Sequence, residues 1–269
     1  MRRGNGKRTI FLGILFVFFL TLTGVASEPT PKSVDAILDI GKEMSQMRNM
    51  LETYALIATN VKYKLPEKRL KKSIQEYESL IARLRREFSD PEIQASLDRS
   101  KRAWQPLKKS LLTAFEKPDP DRMRREGLFI HSHIRSVIKE LAGMKRYLLQ
   151  KEKIENGKEL NAAIEIAASS QRLSAHYMMK MWGLPDPTIQ KHWDNGVRIY
   201  SNSIQILRES KYYQDERFRK LLKSTERALK YFQTVFSLGD DYMPVIVHKK
   251  AEEAYQAANE MSRMILKKE

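Results

Sequence analysis

The sequence predicts an all-α fold: elongated up-down helical bundles, arranged as two tandem four-helix modules with about eight helices in total. Three observations carry that expectation. Apolar residues recur at alternating spacings of three and four, the period of helices packed with near-parallel axes. No stretch shows the period-two alternation of a strand. Asp-Pro pairs break the chain at helical lengths, each placing a capping carboxylate before a proline at the first helical position.

The first helix runs on Ile37, Ile40, Met44, Met47, Leu51, Tyr54, Ala58 and Val61, and the second on Leu70, Ile74, Tyr77, Ile81, Leu84 and Phe88. Asp90-Pro91 opens the third, with Ile93, Leu97, Ser100, Trp104, Leu107 and Leu111 on its core face; Pro106 inside it predicts a kink. Asp119-Pro120 opens a longer fourth helix carrying Ile130, Ile134, Val137, Leu141, Met144 and Leu148. After Asn156-Gly157, helices are expected over 158–183, 187–209, 213–237 and 243–267, with Gly239 between the last two. Trp182-Gly183 reads as a helix end with glycine in the left-handed position, and Asp186-Pro187 as the next start. Helices of 25 to 35 residues would be about 40–50 Å long, which makes rods.

The two halves echo each other. A slide of 127 positions places Gly41 on Ala168 and Met50 on Tyr177, and a slide of 125 places Arg102, Ala103 and Trp104 on Arg227, Ala228 and Leu229. The chain therefore reads as a duplication, with modules over 33–155 and 158–268.

Composition narrows the setting. With 269 residues and 42% hydrophobic content, the chain can bury one large core or two modest ones. The opening MRRGNGKR is a basic leader, Ile10 to Val25 is apolar, and Val25-Ala26-Ser27 supplies the small residues before a cleavage site, so 1–27 reads as a signal peptide. Export to the periplasm is expected, with an inner-membrane anchor facing the periplasm as the alternative. Removing the leader's four basic residues takes the formal charge from +16 to +12, still an anion-attracting surface. Export turns that charge away from nucleic acid, leaving small oxyanions, cell-wall polymers and anionic lipid as partners. The absence of cysteine excludes disulfides, thiolate metal sites and c-type haem attachment.

The segment IEIAASSQRLSAHYMMKMWGLPDP, from Ile164 to Pro187, resembles the opening helix of the extracytoplasmic sensor domain of type IV pilus chemotaxis transducers (PilJ-type). That domain is related to the nitrate/nitrite sensor-kinase (NarX-like) input domain. The family helix reads roughly I-N-x-A-G-R-Q-R-M-L-S-Q-R-M, and Ile164, Ala167, Leu173 and Ser174 fall on matching positions. In the first half, Met50 to Ile57 resembles the family's M-L-K-D-Y-A-L-I. The resemblance implies a four-helix sensor module that binds a small ligand. It also implies a homodimer, in which arginines of this helix meet across the axis to hold an anion. No kinase or methyl-accepting region follows here, so output through a separate membrane-bound receptor or histidine kinase is expected. A basic helical surface that docks in the envelope is the alternative function.

The chain departs from the family at the arginines. The family's anion-binding position is Met44 in the first copy and Gln171 in the second, while Arg48 and Arg172 stand at neighbouring positions. One residue along a helix is a rotation of about 100°, which points those arginines elsewhere. Lys42, Arg48 and Arg172 are therefore candidates for an altered anion site, or else ordinary solvated charges on a bundle surface. Gln171 and Ser174 replace Met44 and Met47 on the core seam, a polar gap that either fixes register or admits a ligand.

No metal site is legible. His131 and His133 lie two apart, and His176, His192 and His248 are isolated, so no helix offers the spacing of three or four that a metal pair needs. No cofactor is expected. Without a nucleophile–base pair, a paired-carboxylate signature or a glycine-rich phosphate loop, the chain is not expected to be an enzyme.

Overall fold

The computed structural model describes residues 31–116, 119–238 and 243–267; the expected signal segment and Gly239 lie outside them. Among the described residues there are eight α-helices and no strand. They are α1 (Pro31–Ala58), α2 (Pro66–Glu87), α3 (Pro91–Leu112), α4 (Pro120–Lys151), α5 (Gly157–Met181), α6 (Ile189–Arg208), α7 (Glu216–Ser237) and α8 (Pro244–Leu266). None is long and apolar enough to cross a membrane.

Helix ends follow the capping chemistry in most places. Asp90 accepts from the backbone N–H of Glu92 and Ile93, and Asp119 from those of Asp121 and Arg122. At the end of α5, Gly183 has φ +68°, Leu184 N–H donates to the Met179 carbonyl and Gly183 N–H to the Lys180 carbonyl. That pair of bonds is a Schellman end. A second one closes α1: Asn60 takes the left-handed place and Val61 N–H donates to the Leu56 carbonyl. Val61 belongs to the apolar series because it packs on the core from this turn, three residues past the helix.

One expectation needs adjusting. Asp186 does not cap α6, which starts at Ile189; its carboxylate instead accepts from Thr188 N–H and Oγ1 and meets His131. Pro106 lies inside α3, as expected, and the helix continues past it to Leu112. Pro106 and Arg102, four residues before it, are both exposed, so water can take the Arg102 carbonyl that the proline leaves without an N–H.

In the first set of four, α1 packs on α2 and α4, and α3 on α4. The second set repeats this, with α5 on α6 and α8, and α7 on α8. The sets lie side by side because α1 also packs along α5. Gly41 faces Ile164 and Asn49 faces Gln171, sequence separations of 123 and 122, and a constant separation means the two helices run parallel. A Cβ on Gly41 would lie 2.7 Å from Ile164 Cγ2, so glycine is what allows this close approach.

Apolar burial holds both sets together. Each fully buried Leu, Ile, Phe or Met contributes roughly 1.5–3 kcal/mol relative to exposure. Buried tyrosines carry their hydroxyls to partners. Tyr54 pairs with Thr113 Oγ1 at 2.8 Å and Tyr77 with Ser100 Oγ at 2.8 Å, while Tyr200 donates to the Thr225 carbonyl at 3.0 Å.

Candidate functional site

Setting α1 beside α5 creates two seams, one along each flank of this central pair. One is bounded by α1, α2, α5 and α8, the other by α1, α4, α5 and α6. Exchanging the first four helices for the second four turns one seam into the other. Their side chains have gone separate ways.

The seam with α2 and α8 is closed by hydrogen bonds. Asn49 Nδ2 donates to Glu52 Oε2 at 3.2 Å and to Gln171 Oε1 at 3.0 Å, and Gln171 Nε2 donates to Glu252 Oε1 at 3.3 Å. Arg69 donates to Asn49 Oδ1 at 3.1 Å and Thr53 Oγ1 at 3.2 Å. His248 Nδ1 meets Glu52 Oε1 at 2.8 Å, and both side chains are buried. Burial pushes the Glu52 carboxyl up, but His248, Arg69 and the adjacent Ser174 hydroxyl together hold it below the usual range. Ser174 Oγ lies near Glu52 without hydrogen-bond geometry. Gln171 thus bonds with its neighbours and fixes the register of α1, α5 and α8.

The seam with α4 and α6 is open. A cavity of about 290 Å³ lies among Met44, Arg48 and Leu51 of α1, Ile134, Arg135 and Lys139 of α4, Glu165, Arg172 and His176 of α5, and His192 of α6. That is roughly the lower bound of volumes that hold small ligands. Arg48 is buried, and Arg172 is partly so. Gly196 on α6 gives Arg172 its passage: a Cβ there would lie 3.0 Å from Arg172 Cδ.

Its electrostatics are one-sided. Arg48, Arg135, Lys139 and Arg172 face a single lining carboxylate, Glu165, which already accepts from Lys145 Nζ at 2.9 Å. Burial pushes Glu165 up, yet Lys145, Arg48 and Arg172 outweigh it and pull its carboxyl below the usual range. Burial and the adjacent Arg172 push the Arg48 guanidinium well below the usual arginine value, with Glu165 opposing. Burial lowers Arg172 in the same way, with Glu165 opposing and Arg135 adding to the shift. A guanidinium stays protonated in proteins, so these shifts express the cost of holding two cations together out of water. Nη1 of Arg48 and Nη1 of Arg172 are each buried without a hydrogen-bond partner.

The expected candidates are thus redistributed. Arg48, which the rotation argument sends to another face, follows Met44 by four residues and keeps that residue's face of α1, and it meets Arg172 in one cavity. The reason is packing register: α1 and α5 touch at separations of 122 and 123, not 127, which brings Arg48 level with Arg172. Lys42 is exposed and lies in a different groove beside Asp39 and Glu43. Gln171 and Ser174 are buried but do not line the cavity. Sequence reasoning missed Arg135, Lys139 and the histidines of α4, α5 and α6. Their trace was present as spacing: His131, Arg135 and Lys139 share one helical face, and Arg172 and His176 share another. The chain matches no protein-family model, no curated protein and no solved structure.

Proposed function

We propose that the chain is an exported, non-enzymatic sensor module that binds a small oxyanion between α1 and α5 and reports to a separate membrane-bound receptor or histidine kinase. One observation carries the reading: two guanidinium groups from different helices reach one cavity, each with a buried, unpartnered Nη1. Guanidinium forks suit planar oxygen acceptors, and an anion would relieve the repulsion between the arginines. The resemblance to PilJ-type and NarX-like domains supports the same ligand class. In that family the arginines come from two chains; here α1 and α5 supply both from one, so a single chain contains the complete cavity. A ligand held between these helices shifts their relative position only as far as it prefers one arrangement over another.

Calorimetry and thermal shift on the mature chain test the reading, with nitrate, nitrite, sulfate and phosphate against a chloride background. One of these anions should bind, and Arg48→Ala or Arg172→Ala should weaken it by about 10- to 100-fold, the worth of a charge-assisted hydrogen bond. No heat and no shift across the panel would overturn it.

A further inference from the structure

Three histidines from three helices meet beside the arginine pair. We propose that His131 of α4, His176 of α5 and His192 of α6 form a binding site for a divalent zinc-class ion that joins the two sets of helices. One ring nitrogen from each lies within 4.8 Å of the others. The ring centroids form a nearly regular triangle: 5.5 Å for His131–His176, 5.4 Å for His131–His192 and 5.9 Å for His176–His192.

The outer contacts fix which nitrogen faces the centre. His176 Nδ1 lies 2.7 Å from the Arg172 carbonyl, which only accepts, so Nδ1 carries the proton and Nε2 the lone pair. His131 Nδ1 lies 2.6 Å from Asp186 Oδ2, and its Nε2 is buried with no partner. His192 Nδ1 lies 3.2 Å from Thr188 Oγ1, whose own hydroxyl donates to Asp186 Oδ1, while His192 Nε2 lies 2.8 Å from Arg135 Nη1. Because a guanidinium only donates, His192 Nε2 also presents a lone pair. All three imidazoles are thus held as the Nδ1–H tautomer, His131 by the Asp186 carboxylate, His176 by the Arg172 carbonyl and His192 by the Thr188 hydroxyl that Asp186 anchors, and an outer acceptor on the far nitrogen is the usual support of a metal-binding histidine. Burial lowers all three below the usual histidine value, with Asp186 opposing at His131 and His192, and keeps them neutral as ligands.

Three imidazoles suit zinc, copper or nickel, and a tetrahedral ion with bonds of about 2.0–2.1 Å would draw the nitrogens to about 3.3 Å apart. The ion must also displace the Arg135 guanidinium from His192 Nε2. Arg135 and Arg172 repel a cation and Asp186 offsets them, so Arg135 acts as an internal competitor for the metal position. The site rests on its own geometry, independent of the oxyanion reading.

The test uses the untagged chain in chloride buffer free of oxyanions. Zinc chloride should bind one-to-one by calorimetry and raise the melting temperature, and cobalt chloride should give the intense visible absorption of a tetrahedral site. Asp186→Asn should weaken zinc by about 10- to 100-fold. His192→Ala, at a half-buried position, should abolish one-to-one binding, while His133→Ala, two residues from His131 and on a different face of α4, should leave it unchanged. Arg135→Ala should tighten zinc by roughly tenfold or more, since the competitor is gone; a folding defect could not produce that gain. Arg48→Ala should keep zinc while losing any oxyanion, which separates the two readings. Absence of one-to-one binding, retention of it in His192→Ala, or a weaker site in Arg135→Ala would each overturn the proposal.

Discussion

Arg48 and Arg172 meet in one cavity from non-matching places: under the slide of 127 positions between the two halves of the sequence, Arg48 falls on Ala175 and Arg172 on Ser45. The pairing is therefore between positions three residues apart when the two halves of the sequence are slid onto each other, nearly one helical turn, and the packing register of α1 on α5 makes up the difference.

Such a pair should trade stability for binding. Replacing Arg48 by Met removes an under-compensated buried cation while keeping much of the side-chain volume. Urea unfolding without ligand should show a gain of about 1–2 kcal/mol. The same variant should lose the oxyanion-induced thermal shift.

Breaking the closed seam should be costly. His248→Ala strands the Glu52 carboxylate out of water and should cost about 3–5 kcal/mol, whereas Glu52→Ala with His248→Ala should cost less than the two singles combined. Glu52 is held below its usual value, so its contribution is full above the ordinary carboxylate pKa and disappears as pH falls through the lowered one. Acid unfolding of Glu52→Gln should accordingly be less steep.

Glu43 predicts the opposite trend. Burial, with Glu76 and Asp39 adding and Lys42 opposing, pushes its carboxyl from 4.5 to about 8, and its Oε1 has no hydrogen-bond partner. Between those values the folded chain holds a proton that the unfolded chain has lost, so stability falls as pH rises, by up to about 1.4 kcal/mol per unit. Glu43→Gln should flatten this slope in denaturation series across the neutral range. An unchanged slope would place the titration elsewhere.

The close approach of α1 to α5 can be probed at Gly41. Alanine gains up to about 1 kcal/mol in helix propensity but forces its methyl onto Ile164, for which overpacking costs about 1–3 kcal/mol. A net loss of about 1 kcal/mol is expected. In Ile164→Ala the same change should become favourable, and a double-mutant cycle on urea midpoints would measure that reversal.

Fold and site differed in legibility for a physical reason. Helix limits are set locally, by apolar spacing and by caps such as Asp90, Asp119 and Gly183, so they could be read directly. Asp186 misled because its carboxylate serves His131, a long-range contact that outweighs capping. The observed helices are also somewhat shorter than expected, at 20 to 32 residues. Arg48 and Arg172 could be singled out, but their meeting depends on inter-helix register, which no local pattern encodes. The histidine cluster was invisible because its members come from separate helices and no two satisfy the one-helix metal spacing.

Supplying both α1 and α5 from one chain has a hereditary consequence. In a dimer of identical chains every substitution is made twice, so both seams must change in step. Here a codon change in one half has no echo in the other. One seam could therefore close around Gln171 and His248 while its counterpart kept an open, cationic interior, a division of labour that two identical chains cannot reach.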